Sequence, residues 1–311
     1  MLQFLIKRFI GLFFVILAVT FITFIMGYFA PGDPIKALLG QHADPLTYGR
    51  LRHAYGLDLP WYQQYWNFLV NLLHLNFGYS FTYQSRSVGD ILSSGVPVSL
   101  TLGFWALAIQ VIIGIPLGVF SALKANTWID TTNMGTMLFI YAIPVFVLAV
   151  LFQVVVVWID QHSSLGWPVS GWGTLQEEIV PILVFAAAGL AYISRLTRTS
   201  MLEVLRQDYV RTARAKGMSE RVVVYRHALR NGLIPVVTII GVTLGILVTG
   251  AFFIENIFNI PGIGQITINS VNTRDYPVIQ ATTVLLAVAV VLGNLLSDIL
   301  YSIVDPRIKT A

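Results

Sequence analysis

Nine of the 19 lysines and arginines in this 311-residue chain lie in one stretch, Arg195 to Pro235. They are Arg195, Arg198, Arg206, Arg211, Arg214, Lys216, Arg221, Arg226 and Arg230. Against Glu203, Asp208 and Glu220 they leave a local balance of +6 in a chain whose total is +4. Charges interleaved with apolar residues in this way raise the question of what surface the stretch touches. The apolar residues recur at helical spacing on both sides of Gly217: Met201, Leu202, Leu205, Tyr209 and Ala213, then Val222, Val223, Val224 and Leu229. Glycine is the usual residue where a helix ends in the left-handed region. The pattern predicts two short amphipathic helices joined at Gly217, on the cytoplasmic side of a membrane.

Residue sets for other chemistries are missing. No G-x-x-x-x-G-K-[ST] phosphate loop occurs, so this chain does not itself hold ATP by that device. There is no H-E-x-x-H, and His42, His53, His74, His162 and His227 lack metal-ligand spacing. The chain has no cysteine, which removes disulfides, thiolate metal sites and cysteine nucleophiles. No Ser-His-Asp or Ser-Lys set stands out, so an intramembrane enzyme is the weakest class. The pI of about 9.3 does not point to nucleic acid, because the cations sit beside apolar spans.

The elements that must hold the basic stretch are membrane spans. The chain is 56% hydrophobic and 11% charged, with a mean hydropathy of +0.75. A soluble domain carries about 25% charged residues. Lys7 and Arg8 precede an apolar run from Phe9 to Ala30, whose 22 residues cover roughly 33 Å of helix. Tyr28-Phe29-Ala30-Pro31 is a poor cleavage site, so the run is expected to stay as a first span. Further spans are expected at 98–123, 134–159 with an interruption at Pro144, 179–193 running on toward Thr199, 234–254 and 278–304. With both ends inside, 14 of the 19 cations fall in cytoplasmic segments, as the positive-inside bias requires. The expected architecture is an all-α membrane protein of six transmembrane helices. Residues 1–30 form a tail and first span, and 31–97 a long external loop region. A five-helix core occupies 98–304, with its cytoplasmic loop at 195–233, and 305–311 form a cytoplasmic tail.

Asp160, Glu255 and Asp298 fall near the ends of their segments, leaving the mid-depths almost free of charge. Ion-driven carriers commonly place ionisable groups at mid-depth. The missing energy source is therefore expected on a partner reached through the basic helix pair. In the external region Trp61 to His74 reads as an amphipathic helix with Trp61, Tyr65, Trp66, Leu69, Leu72 and Leu73 toward one side. Such a helix suits the outer interface, and it equally suits a docking surface or lid. Gly114-x-x-x-Gly118 and Gly241-x-x-x-Gly245 allow close helix approach, within the chain or to another subunit.

These features resemble the permeases of ABC importers served by an extracellular binding protein. Their shared loop has the form E-A-A-x-x-x-G, and Arg211-Thr212-Ala213-Arg214-Ala215-Lys216-Gly217 occupies that place here. Arg211 stands at the usual Glu, Thr212 at the first Ala, and Arg230 where many relatives have Pro. Six further motifs look like the B-type permease of the dipeptide/oligopeptide/nickel branch. They are Ala30-Pro31-Gly32-Asp33-Pro34, Gly56-Leu57-Asp58-Leu59-Pro60, Arg226-His227-Ala228-Leu229-Arg230-Asn231, Glu255-x-x-Phe258-x-x-Pro261-Gly262-x-Gly264, Arg274-Asp275-Tyr276-Pro277 and Asp305-Pro306-Arg307.

The resemblance implies a type I importer permease fold in a bacterial or archaeal plasma (inner) membrane, with no catalysis of its own. It implies a second, C-type permease, two ATPase subunits carrying the ATP and Mg, an extracellular binding protein, and a peptide or similar small cargo. Arg211, Thr212, Ala213, Arg214, Ala215, Lys216, Gly217, Met218, Ser219 and Glu220 would form the ATPase-coupling element. The bland alternative for this stretch is a basic loop that sets orientation and touches anionic lipid. Glu255, Asn256, Trp61 and Trp66 are candidate contacts to the pathway or the binding protein, although Pro261 to Gly264 also reads simply as a turn. Nickel chelate, glutathione or oligosaccharide are alternative cargoes. A self-sufficient channel or carrier is the alternative from another class.

Overall fold

The structure, a computed structural model, describes residues 2–30, 32–39, 44–83, 86–163, 166–247 and 251–304. Pro31, His42 and the tail 305–311, with Asp305-Pro306-Arg307, lie outside these, as do the side chains of Lys7, Arg8 and Asp298. Among the described residues the regular elements are helices, with one isolated bridge between Tyr79 and Ser87. In order they are α1 (Leu2–Phe29), α2 (Pro34–Leu39), α3 (Pro45–Ala54), α4 (Trp61–Leu73), α5 (Val88–Leu123), α6 (Trp128–Ala142), α7 (Val145–Ser163) and α8 (Leu175–Leu205). Next come α9 (Asp208–Ala215), α10 (Glu220–Val222), a π-helical turn (Val223–Ala228) and α11 (Leu229–Gly232). The last are α12 (Ile234–Leu247), α13 (Phe252–Ile257), α14 (Ile263–Thr273) and α15 (Tyr276–Val304).

Five described helices are long and apolar enough to cross a membrane: Ile10–Phe29, Val88–Leu123, Val145–Ser163, Leu175–Leu205 and Tyr276–Leu296. Several boundaries differ from the sequence expectation for identifiable reasons. The second span begins at Val88, not at 98, because Ser87 caps it: its Oγ accepts the Asp90 N–H at 3.0 Å. The fourth begins at Leu175 because Thr174 and Glu177 form a reciprocal capping box. The third is two helices. Ile143, the residue before Pro144, is extended at φ −83°, ψ 124°, and the missing proline N–H ends the ladder between α6 and α7. The expected fifth span, 234–254, corresponds to α12 and α13, with residues 248–250 outside the described set.

The chain divides into two compact units, each discontinuous in sequence. The first comprises Met1–Ser99, Val248–Phe252 and Pro261–Val291. Its core packs Val88, Ile91 and Leu92 against Ile263, Val278 and Ala281. One buried carboxylate organises its connecting segments. Asp275 accepts from the Ser80 hydroxyl, from the Phe81 N–H at 3.0 Å and from the Thr82 N–H at 3.2 Å. Those donors would otherwise be buried without partners, so Asp275 ties residues 80–82 to the start of α15. Asp33 caps α2 through the Ile35 N–H at 2.9 Å and accepts the Tyr48 hydroxyl at 2.5 Å, joining α2 to α3. Helix α4 leans on α1, where the Tyr65 hydroxyl reaches the Leu17 carbonyl at 3.2 Å and its ring meets Phe21 and Phe24.

The second unit comprises Leu100–Leu247, Phe253–Ile260 and Leu292–Ala311. Here α5 and α8 touch backbone to backbone. A Cβ on Gly118 would come within 2.5 Å of the Ser194 carbonyl and of Thr197, and one on Gly114 within 3.1 Å of the Leu190 carbonyl. The first of the two small-residue motifs is thus a contact within the chain. Val119 and Ala122 then meet Met201, Val224 and Ala228, so the basic helix pair around Gly217 is seated directly on these long helices.

Candidate coupling site

Residues 211–220 make the bend of a compact helix–turn–helix that follows α8, from the body of α9 through the turn to the first residue of α10. Helix α8 stops at Leu205, and α9 starts two residues after Arg206. Gly217 ends α9 at φ +74°, with its N–H on the Arg214 carbonyl at 2.9 Å. This is the left-handed geometry expected from its sequence position. Ser219 starts the second helix, which passes from α10 into the π turn, a form frequent at functional sites.

Two kinds of contact make this motif rigid. Inside, Val210, Ala213 and Val223 form a buried cluster, with Val204, Leu205 and Met218 packed on it. Outside, Arg214 grips Glu220 across the turn, Nη2 to Oε1 at 2.6 Å and Nε to Oε2 at 3.1 Å. A bidentate fork fixes orientation as well as distance. The Arg214 hydrogen bond holds the Glu220 carboxyl below its usual range, although burial opposes this. At the far end the Asn231 amide donates to the Tyr209 hydroxyl at 2.7 Å.

The buried face differs from the one read from the sequence. Ala213 is buried and Met218 half-buried, as expected of a packed motif, but Ala215, Val222 and Tyr209 are exposed. Val210, outside the apolar stripe expected from the sequence, is fully buried. The helical period was right; its phase was off because α9 begins afresh at Asp208 and does not continue α8. The exposed face carries Arg211, Thr212, Lys216, Arg221, Tyr225, Arg226 and Arg230, and Ser219 and Glu220 lie at its rim.

The remaining candidates are placed individually. Trp61 and Trp66 are exposed at 43% and 65% on α4. It is Gln64, Asn67, Phe68 and Asn71 of that helix, not the tryptophans, that line a cavity of about 500 Å³ in the first unit. Glu255 is fully buried within the chain, whereas Asn256 beside it is exposed. No group of three or more His, Cys, Asp or Glu residues suited to a metal occurs among the described residues.

Comparison with known proteins identifies the family. Residues 114–310 match the family model described as binding-protein-dependent transport system inner membrane component, and residues 1–103 match its N-terminal companion. The dipeptide transport system permease protein DppB of Bacillus subtilis (strain 168) is 40% identical, over 99% of this chain and 98% of that protein. The glutathione transport system permease protein GsiC of Escherichia coli (strain K12) is 38% identical, over 99% of both. Among solved structures, a chain of the MetNI methionine ABC transporter in an inward-facing conformation superposes with a TM-score of 0.54 at 22% identity. The match covers 69% of this chain and 96% of that one, and shows the shared fold. The chain belongs to the family of binding-protein-dependent transport system inner membrane components, as an ABC importer permease of the dipeptide/oligopeptide branch.

Proposed function

We propose that this chain forms, with a second permease, the translocation pathway of an ATP-driven importer of di- or oligopeptides. An extracellular binding protein delivers the cargo, and two ATPase subunits carrying ATP and Mg drive transport through residues 211–220. The termini and the Gly217 motif face the cytoplasm of a bacterial cell. The observation that carries this reading is the rigid, basic helix–turn–helix at the end of α8. Its inner face is packed on the long helices and its outer face is free. A loop that only set orientation would need neither the buried Val210–Ala213–Val223 cluster nor the Arg214–Glu220 clasp. A peptide cargo is supported by the 40% identity to a dipeptide permease. The 38% identity to a glutathione permease supports a second reading, since glutathione is itself a short peptide.

The test is reconstitution into vesicles with the second permease, the ATPases and the binding protein. ATP-dependent uptake of labelled dipeptide, and none when the ATPases are left out, is the expected result. Preference for glutathione selects the second reading. Uptake by this chain alone without nucleotide overturns both in favour of a channel or carrier.

A further inference from the structure

We propose that Asp130 is a positioning residue for transport, locking the α5–α6 turn to α8 so that a displacement of the Gly217 motif moves α5, α6 and α8 as one body. This rests on the coupling reading above. Asp130 lies at the start of α6 and is 2% exposed. Its two oxygens take both prongs of the Arg198 guanidinium, Nε at 2.6 Å and Nη2 at 2.6 Å. Of the ion pairs among the described residues it is the most buried, with side-chain exposures of 24% and 3%. The same carboxylate accepts the N–H of Asn126, a residue held at φ +63° in the turn between α5 and α6. One group thereby fixes both the turn and the neighbouring helix.

The position of the pair along α8 gives it a mechanical role. Arg198 is two helical turns before Leu205, where α8 hands over to α9. Beside it, Thr197 and, one turn earlier, Ser194 are pressed against Gly118 of α5, and Asn133 of α6 donates to Ser121 of α5 at 2.5 Å. The last turns of α8 are therefore joined to α5 by close packing and to α6 by a forked charge pair. Apolar helix contacts slide at little cost, but a bidentate pair in a water-poor site holds one geometry and leaves a stranded charge when separated. Nothing in the acidic residues of the basic stretch duplicates this: Arg214–Glu220 and Arg211–Asp208 are exposed and internal to the motif.

In the reconstituted complex, peptide imported per ATP hydrolysed is compared for wild type, Asp130→Asn, Arg198→Lys and the charge swap Asp130→Arg/Arg198→Asp. The expected result is at least a tenfold fall in that ratio for Asp130→Asn while ATP hydrolysis persists. Arg198→Lys, which keeps the charge and loses the fork, is expected to fall less, and the swap to recover part of the loss. A wild-type ratio in Asp130→Asn overturns the proposal, as does a fall that neither the lysine variant nor the swap mitigates. Hydrogen exchange at Asn126 and Thr127 reads the lock even if wild type imports no peptide, a result that would sink the functional reading instead. Unchanged exchange there in Asp130→Asn also overturns the lock.

Discussion

Replacing Gly217 separates backbone strain from steric fit, because a Cβ at this position meets nothing within 4 Å. The only cost of Gly217→Ala is then the left-handed conformation at φ +74°, about 1–2 kcal/mol for an L-residue. The smaller conformational freedom of unfolded alanine offsets part of it, by about 0.4–1 kcal/mol. The net loss is on the order of 1 kcal/mol, or about fivefold in the opening of the turn. Asparagine tolerates this region and should cost less than alanine. Proline cannot reach a positive φ, and it also removes the N–H that Gly217 donates to Arg214, so it should cost about 3 kcal/mol or more and abolish the turn. Hydrogen exchange over residues 208–222 reads the opening, and uptake per ATP in the reconstituted complex reads the consequence. The predicted order is Gly, Asn, Ala, Pro in falling protection and falling coupling, with every variant still inserted and assembled. Normal coupling in Gly217→Pro would overturn a role for the left-handed turn, and so would an asparagine variant as defective as proline.

Three further outcomes follow from particular contacts. Gly118→Ala drives a Cβ to 2.5 Å from the Ser194 carbonyl, a backbone atom that cannot step aside. It should cost about 1–3 kcal/mol by forcing α5 and α8 apart, seen as a lower melting temperature of the purified protein. Asp275→Ala leaves the Phe81 and Thr82 amides without their acceptor, a loss of about 1–3 kcal/mol per stranded group that should make the segment around residues 80–82 sensitive to protease. The Arg214–Glu220 clasp has a definite pH sign: the folded carboxyl lies below its unfolded value of 4.5. Its contribution is therefore full above that value and is lost as pH falls through the lowered folded value. Amide protection at Met218–Glu220 should be flat from pH 8 to about 5 and decline only under more acid conditions, whereas Glu220→Gln should show the reduced protection at every pH.

Much of the helical inventory was legible because apolar runs of membrane-spanning length admit few other readings. The Gly217 turn was legible because a glycine between two basic amphipathic segments has one obvious conformational use. Boundaries were less so. The box at Thr174 and Glu177 is visible as a T-x-x-E pattern, but it sits ahead of the apolar residues that define the span. The phase of α9 was lost because the break after Leu205 carries no Gly or Pro to announce it. The structural parts of Asp130 and Asp275 were hidden for a different reason: Asp130 looks like an ordinary loop carboxylate, and Asp275 stands out only as a member of the Arg274-Asp275-Tyr276-Pro277 motif. Their partners lie 68 and about 195 residues away along the chain. Burial that depends on tertiary pairing leaves no local signature.

The central claim is that the exposed face of the Gly217 motif meets an ATPase subunit. The chain contains no cysteine, so a single Ala215→Cys substitution on that face gives a unique cross-linking probe, with Trp66→Cys as the control on exposed α4. When these variants are co-expressed with the partner subunits, the expected result is a cross-link from position 215 to an ATPase subunit, its yield changing with nucleotide, and none from position 66. A transport-competent complex in which position 215 never cross-links to an ATPase, or reacts only with lipid-soluble reagents, would contradict it.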